Sequence, residues 1–263
     1  MMIKWLVDKI KDAIAPPKPI NTIYWQPEWS SFLDEKVIFY QTLDQKDKKI
    51  FEERVRLFLE TTPVEAGQFE VNDEDKLLVA SSAIIPVWGF PDWDYFNVQK
   101  VYLLPAAFNE QFECGQADSV FTGMVGKGPM SGKLALSKPA LHLGFANAYD
   151  KHNVGIHEFV HLLDMADGDC DGFPERLKKY AYALPWFELI EKKITEIENK
   201  QSNIGDYGAT NKAEFFAVAS EYFFERPEMM QKKHPDLYQA LTDFYQQDVM
   251  HIAAGMKPRK KAP

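Results

Sequence analysis

The 263-residue sequence has little cysteine, no surplus of positive charge and no long apolar run. Its two cysteines, Cys114 and Cys170, are too few for a disulfide scaffold, and they do not form a C-x-x-C pair. Both observations indicate a reducing compartment. We interpret both cysteines as packing residues. Lys and Arg together number 30 against 39 Asp and Glu, a net charge of −9, and this balance argues against direct binding to nucleic acid.

Membrane and secretion signals are also missing. No stretch approaches the roughly 20 apolar residues that a transmembrane helix needs. Charges interrupt residues 1–14 every few positions, so this segment does not resemble a signal peptide. Its apolar positions recur at helical spacing, which is typical of an amphipathic helix docked on its own domain, on a membrane surface or in a partner groove. We therefore predict a cytoplasmic protein without a transmembrane segment.

The hydrophobic residues, 46% of the chain, are sufficient for a packed core. We predict an N-terminal segment with a Pro-rich connector at 1–28, a single domain at 29–250 and a basic tail at 251–263. Within the domain, the patterning predicts helices over 29–90, a sheet over 98–145 and helices again over 151–246.

Short β-type runs mark the middle of the chain. They are separated by glycine and proline and comprise Val101–Leu104, Ser119–Thr122 and Ala140–Leu143. These runs predict a small, mostly antiparallel sheet. Flanking helices are predicted from Asp73 to Ile84 and near 151–166, 174–200, 211–225 and 228–246. Because helices, sheet and helices follow one another in blocks, the fold class is α+β.

The most informative motif is H-E-x-x-H, formed by His157, Glu158 and His161. Residues four apart on a helix lie one turn above each other, so the two imidazoles can bind one Zn²⁺. Glu158 would then lie beside the metal and activate a water molecule as general base. The alternative is that these are ordinary helix residues, and a third ligand decides between the two.

The position of a third ligand separates the zinc-peptidase layouts. A metzincin needs Gly and His three and six residues after His161, where this chain has Asp164 and Asp167. A thermolysin-like layout needs Glu about 20 residues further on, where this chain has Ala181. Glu175 and Glu188 are off that spacing. The remaining choice is a glutamate on another helix.

A suitable helix is predicted after Tyr207. Glu214 and Glu221 are two turns apart and fall close to its apolar side, which is formed by Phe215, Val218, Ala219, Tyr222 and Phe223. Carboxylates in such a position need a partner. For Glu214 a structural explanation also exists, because Asn211 as N-cap followed by Glu three residues later fits a capping box.

Both segments together resemble the Mlc titration factor A (MtfA) family of bacterial zinc metallopeptidases. The resemblance is most specific over His157–Met165 and Ala213–Phe224 and extends from the Arg54–Leu59 helix to Phe244–Asp248. The run from Tyr207 to Ala217 is also similar to the catalytic domain of anthrax lethal factor, which has Tyr-Gly-x-Thr-Asn-x-x-Glu-Phe-Phe-Ala.

The resemblance implies a zincin-like metallopeptidase domain with one Zn²⁺ per chain. By this resemblance His157, His161 and Glu214 are the ligands, and Tyr207 donates a hydrogen bond to the oxyanion of the tetrahedral intermediate. Glu221 would support the ligands or the fold. The family implies peptide or protein substrates with aminopeptidase-type cleavage, and a transcriptional repressor as protein partner.

Two other functions remain open at this stage. One is a non-catalytic regulatory binding module with a structural zinc site, and the other is a metal-free helical interaction domain. If the protein is a peptidase, we expect an extended substrate to pair with a sheet edge, for which the segment Ala140–Phe145 is the candidate. The remaining histidines lack a spaced partner and are not assigned to the site; they are His142, His152, His234 and His251.

Overall fold

The computed structural model describes residues 22–126, 130–147, 149–174 and 183–250. The predicted amphipathic segment at 1–14 and the basic tail at 251–263 lie outside the described residues. The boundaries at residues 28 and 250 therefore stay predictions.

The first part of the described chain is helical, as expected. Its helices are α1 (Pro27–Lys36), α2 (Ile38–Gln41), α3 (Gln45–Thr61) and α4 (Asp73–Ile84). Helix α4 starts at a capping box, in which the Asn72 side chain accepts the Asp75 N–H and the Asp75 carboxylate accepts the Asn72 N–H. It ends at Ile84, and Pro86 two residues later has no backbone N–H with which to continue the helical hydrogen bonds.

Four short strands form one sheet in the order β1-β2-β4-β3. They are β1 (Val64–Ala66), β2 (Lys100–Leu104), β3 (Gly123–Val125) and β4 (Lys133–Ser137). The predicted mostly antiparallel arrangement is wrong, because β1–β2 and β2–β4 are parallel and only β3–β4 is antiparallel. The connection from β1 to β2 passes through α4, and such a crossover returns the chain in the same direction.

The predicted strand at Ala140–Leu143 is also wrong, because these residues lie in α5 (Lys138–Ala146). The Ser137 side chain caps this helix by accepting the Ala140 N–H, and Pro139 occupies its first turn. An apolar alternation of four residues is too short to separate strand from helix. The expected sheet edge at Ala140–Phe145 is therefore absent.

Three further elements differ from the sequence prediction. Strand β1 lies outside the predicted sheet region, and Phe121 makes an isolated bridge to Phe108 where a strand was expected at Ser119–Thr122. The helix predicted at 228–246 is two helices, because Pro235 interrupts it after His234.

The C-terminal half supplies the helices around the candidate site. These are α6 (Val154–Asp164), a 3₁₀ turn (Met165–Asp167), α7 (Ala183–Glu198), a second 3₁₀ turn (Asp206–Ala209), α8 (Lys212–Glu225), α9 (Pro227–Lys233) and α10 (Pro235–Tyr245). The α+β class is thus confirmed, with a mixed sheet.

Helix α6 packs closely against α4 and against aromatic side chains of the core. A Cβ atom at Gly155 would lie 2.1 Å from the Ser82 Oγ, so only glycine permits this approach. The buried Phe159 ring makes edge contacts with Phe58 and Tyr95, at centroid distances of 5.6 and 5.2 Å. The helix that carries the H-E-x-x-H motif is therefore held firmly on one side by the core.

Within the described ranges, no helix combines the length and the apolar character needed to cross a membrane.

Candidate metal centre

The two histidines of the motif lie one turn apart on α6 and face the same point. Their Nε2 atoms are 3.1 Å apart, and their ring planes are inclined by 80°. Asn153 caps the helix by accepting the Ile156 N–H at 3.1 Å. The local sequence therefore places both imidazoles on one helix face.

Glu214, in the first turn of α8, is brought to the same point. Its Oε2 lies 3.0 Å from the His157 Nε2 and 3.4 Å from the His161 Nε2. Asn211 caps α8 by accepting the Glu214 N–H at 2.9 Å, while the Glu214 carboxylate is directed to the imidazoles. Burial opposes ionisation, but hydrogen bonds from the two histidines hold the pKa of Glu214 well below its usual range.

These three atoms have the spacing of a small cation site. Zinc with tetrahedral bonds of about 2.0–2.1 Å places neighbouring ligand atoms roughly 3.3–3.4 Å apart, and the observed separations are 3.0, 3.1 and 3.4 Å. Two imidazoles and one carboxylate are also a donor set that zinc prefers. Within the described part of the chain, no second group of His, Cys, Asp or Glu converges in this way.

His157 is oriented by a second carboxylate on α8. The Glu221 Oε1 lies 2.7 Å from the His157 Nδ1, and the Glu221 Oε2 accepts the Asn153 N–H at 2.6 Å. Only 4% of Glu221 is exposed. A carboxylate at Nδ1 keeps the proton on that nitrogen, so the lone pair of Nε2 faces the centre. Glu221 thereby links the start of α6 to α8.

His161 has a different neighbour. Its Nδ1 lies 3.7 Å from the Cys170 Sγ. The sequence predicts only a packing role for Cys170, because no spacing signal connects it to the motif. The contact arises from the loop that follows α6.

Glu158 lies beside the three converging atoms in a space that β3 leaves open. A Cβ atom at Gly123 would be 2.5 Å from the Glu158 Oε1, so the carboxylate occupies the place of a missing side chain. Burial raises the pKa of Glu158, and the charges of Glu214 and Glu221 raise it further, whereas the histidines oppose this. Gly123 is thus a residue of the site, and its sequence context indicates only a break between strands.

Tyr207 lies at the open side of the centre, in the 3₁₀ turn before α8. Its ring centroid is 6.1 Å from that of His157, and 57% of the residue is exposed. Partial burial and the nearby charges of Glu214 and Glu158 raise the pKa of Tyr207. The hydroxyl therefore stays protonated at neutral pH and is able to donate a hydrogen bond.

The structure brings the five residues singled out from the sequence to one place: His157, Glu158, His161, Tyr207 and Glu214. Other histidines are engaged elsewhere. His142 pairs with Asp75 at 2.7 Å, and His234 contacts the Asn203 side chain at 2.7 Å. His251 lies outside the described residues.

Sequence comparison decides the family. The sequence profile of the glucose-regulated metallo-peptidase M90 family matches residues 17–246. The chain belongs to this M90 family. An M90 protein is of the metallopeptidase type and is expected to carry a metal cofactor, and the match includes both helices that form the candidate centre.

Several relatives of this M90 protein match over most of its length. Uncharacterized protein slr2042 of Synechocystis is 28% identical over 92% of this chain and 89% of its own. Mlc titration factor A of Cronobacter sakazakii is 28% identical over 78% of this chain and 80% of its own. The Escherichia fergusonii protein of that name is 27% identical over 84% of this chain and 86% of its own. The resemblance found from the motifs is thus confirmed.

Proposed function

We propose that this M90 protein is a zinc-dependent peptidase in which His157, His161 and Glu214 hold the metal. The observation that carries the proposal is the convergence of their three ligand atoms within 3.0–3.4 Å, beside the buried Glu158. Structural zinc sites have four protein ligands, whereas catalytic sites have three and leave one position open. Three converging ligands among the described residues therefore favour a catalytic site over a structural one.

The side chains around the centre suit peptide hydrolysis. Zinc supplies a Lewis acid that polarises the scissile carbonyl and acidifies a water molecule. Glu158 accepts a proton from the attacking water and passes it to the leaving amine, a role for which its position beside the three converging ligand atoms is suitable. The Tyr207 hydroxyl donates a hydrogen bond to the oxygen on which negative charge develops.

The position of β3 supports an extended polypeptide as substrate. It is the outer strand of the sheet, next to β4, and its Gly123 touches the Glu158 side chain. Strand edges bind extended peptides through main-chain hydrogen bonds. In this proposal the substrate pairs with Gly123–Val125, and not with Ala140–Phe145, which the sequence predicts as the sheet edge.

Zinc content and hydrolysis, measured on the same preparations, test the proposal. Wild type is expected to hold one zinc per chain and to cleave peptides. Glu158→Gln should retain zinc but lose hydrolysis, because the general base is gone, and His157→Ala should lose the metal. Undiminished cleavage by Glu158→Gln would contradict the mechanism.

The role of Tyr207 is tested by removing its hydroxyl. Tyr207→Phe should lower turnover by roughly tenfold to a thousandfold with zinc retained, since one oxyanion donor is lost. An unchanged rate removes Tyr207 from the mechanism.

Aminopeptidase-type cleavage, which the family resemblance implies, is the finer form of the proposal. It predicts hydrolysis of a peptide with a free amino terminus and little hydrolysis of the same peptide after acetylation. Equal rates on both peptides would instead indicate an endopeptidase.

A second function follows from the name of two relatives, Mlc titration factor A, which says that those proteins titrate Mlc. By extension, we propose a transcriptional repressor as a protein partner of this chain. Calorimetry with a purified Mlc-type repressor and the Glu158→Gln variant tests binding separately from cleavage. Binding without any hydrolysis by wild type would favour the alternative of a non-catalytic module.

A further inference from the structure

The two imidazoles of the candidate centre are supported by different chemical groups. The His157 Nδ1 is 2.7 Å from a Glu221 carboxylate oxygen, whereas the His161 Nδ1 is 3.7 Å from the Cys170 sulfur. A sulfur acceptor forms longer and weaker hydrogen bonds than a carboxylate does. The two proposed ligands therefore differ in how firmly they are oriented.

The Cys170 loop is fixed by contacts at its far end. The Gly172 N–H donates to the Asp164 carboxylate at 2.8 Å, and the Gly172 carbonyl accepts the Trp186 indole N–H at 3.0 Å. Gly172 has φ 75°, and a Cβ atom there would lie 2.3 Å from the Lys212 carbonyl oxygen. Both constraints favour glycine, so the loop is locked against the start of α8.

The Cys170 thiol lies between Asp164 and His161. Burial raises the pKa of Asp164 to about 6, and the thiol opposes this as a hydrogen-bond donor to the carboxyl group. With its proton directed to Asp164, the sulfur retains lone pairs for the imidazole N–H. The arrangement runs from a fully buried carboxyl group through a thiol to the imidazole.

Building on the proposed function, we propose that Cys170 is a positioning residue for His161. Its sulfur accepts a hydrogen bond from the His161 Nδ1–H, which fixes this tautomer and directs the Nε2 lone pair to the metal. A neutral imidazole carries one proton, so a partner at one nitrogen determines the role of the other. Cys170 acts through His161 and does not itself bind the metal.

Three variants separate positioning from packing. Cys170→Ala removes the acceptor, and Cys170→Ser replaces the sulfur with a hydroxyl oxygen that can also accept the N–H. Cys114→Ala is the matched control, because Cys114 is also a half-buried thiol and its sulfur contacts the Ala106 carbonyl oxygen instead. The zinc dissociation constant of each protein is measured by competition with a chromogenic chelator. Peptide hydrolysis and the melting temperature of the metal-free protein are measured alongside.

We expect Cys170→Ala to weaken zinc binding by roughly 10-fold to 100-fold, the usual effect of losing a partner of a metal-bound histidine. Cys170→Ser should recover part of this loss, and Cys114→Ala should bind zinc like wild type. The melting temperatures of the metal-free proteins should not follow the order of their zinc affinities.

The inference is overturned if Cys170→Ala binds zinc as tightly as Cys114→Ala. It is also overturned if the weaker zinc binding of Cys170→Ala comes with an equal loss of stability of the metal-free protein and Cys170→Ser does not restore that stability. Its failure is distinguishable from failure of the proposed function. Wild type that binds zinc but cleaves no peptide would refute the peptidase, while the ratio of zinc affinities would still decide the role of Cys170. Wild type that binds no zinc would refute both.

Discussion

Two regions of the molecule contain buried carboxylates, and the side chains around these carboxylates differ between the two regions. In the N-terminal helices, Glu52 is 6% exposed and has three partners. They are the Tyr40 hydroxyl at 2.7 Å, the Ser30 hydroxyl at 2.8 Å and the Lys49 ammonium at 2.7 Å. Burial acts to raise the pKa of Glu52, but these hydrogen bonds outweigh it and lower the pKa.

Asp75 repeats this arrangement at the start of α4. It is fully buried and contacts the Lys138 ammonium at 2.8 Å and the His142 ring at 2.7 Å. Its pKa is lowered as well, against the effect of burial. Such pairs tie the α5 helix to α4, and their carboxylates remain charged over the working pH range.

On the C-terminal helices α6 and α8, two other buried carboxylates have raised pKa values. Burial raises the pKa of Glu158, and it raises that of Glu225 to about 8 with a contribution from Glu221. Both Glu225 oxygens are buried, and the backbone N–H groups of Lys151 and His152 oppose the increase in pKa only in part. The contrast teaches that burial alone does not mark a reactive carboxylate. Burial that its neighbours do not offset raises the pKa of a carboxyl group, and Glu158 combines this with a position beside the converging ligand atoms.

The largest effect on peptide hydrolysis is expected when a side chain fills the space beside Glu158. In Gly123→Ala the added Cβ would lie 2.5 Å from the Glu158 Oε1 and 2.7 Å from the Val154 Cγ2. The flexible carboxylate must move away, and a misplacement of about 1 Å costs roughly 100-fold in rate. Peptide hydrolysis should fall by that factor, while the zinc content should be unchanged.

Gly67→Ala is the matched control, since a Cβ atom at the exposed Gly67 meets nothing within 4 Å. This variant should hydrolyse peptides like wild type. Full activity of Gly123→Ala would show that the Glu158 position is not defined by β3 and would weaken its assignment as general base.

The second-largest effect is expected on zinc affinity, when one buried carboxylate from each region is replaced. Glu221→Gln removes the charge at the His157 Nδ1 and should weaken zinc binding by roughly 10-fold to 100-fold in chelator competition. Glu52→Gln should leave zinc binding unchanged and lower the free energy of unfolding by about 1–3 kcal/mol, because hydrogen bonds to a charged group are lost. Equal zinc affinity of both variants would remove the functional distinction between the two regions.

Much of the centre could be predicted from the sequence, because its residues lie in two local patterns. Helix geometry alone places His157 and His161, four residues apart, on the same helix face. Asn211 followed by Glu214 marks the start of a second helix. The choice of Glu214 over Glu221 required the family resemblance, since both are close to the apolar face. In the structure Glu214 contacts the Nε2 atoms and Glu221 contacts the Nδ1 of His157.

Other features could not be predicted because they depend on tertiary contacts. The contact of Cys170 with His161 depends on how the loop after α6 folds against α8, and the space at Gly123 depends on how β3 packs against α6. Strand direction is not encoded in alternation within a strand, so the parallel pairing of β2 with β4 was missed. Sequence patterns here reveal ligands on helices but not the groups that position them.

A change at Glu225 is expected to have the smallest effect on zinc binding. Its effect on the pH dependence of stability is informative. Because its pKa is raised, the Glu225 carboxyl keeps its proton to higher pH in the folded protein than in the unfolded chain. Between the unfolded pKa, about 4.3, and the folded pKa, stability falls as pH rises, by at most about 1.4 kcal/mol per pH unit. Glu225→Gln removes this dependence.

The melting temperature of Glu225→Gln, relative to wild type, should therefore increase from pH 5 to pH 8. The slope with pH is the decisive quantity, because the free-energy cost of burying the glutamine amide does not change with pH. Glu228→Gln, on the exposed start of α9, is the control and should show no such trend. Zinc affinity should stay the same in both variants at pH 7, since the Glu225 carboxyl is neutral there. A constant difference in melting temperature across this range would mean that Glu225 is charged in the folded protein, and Glu225 would then no longer support the contrast between the two regions.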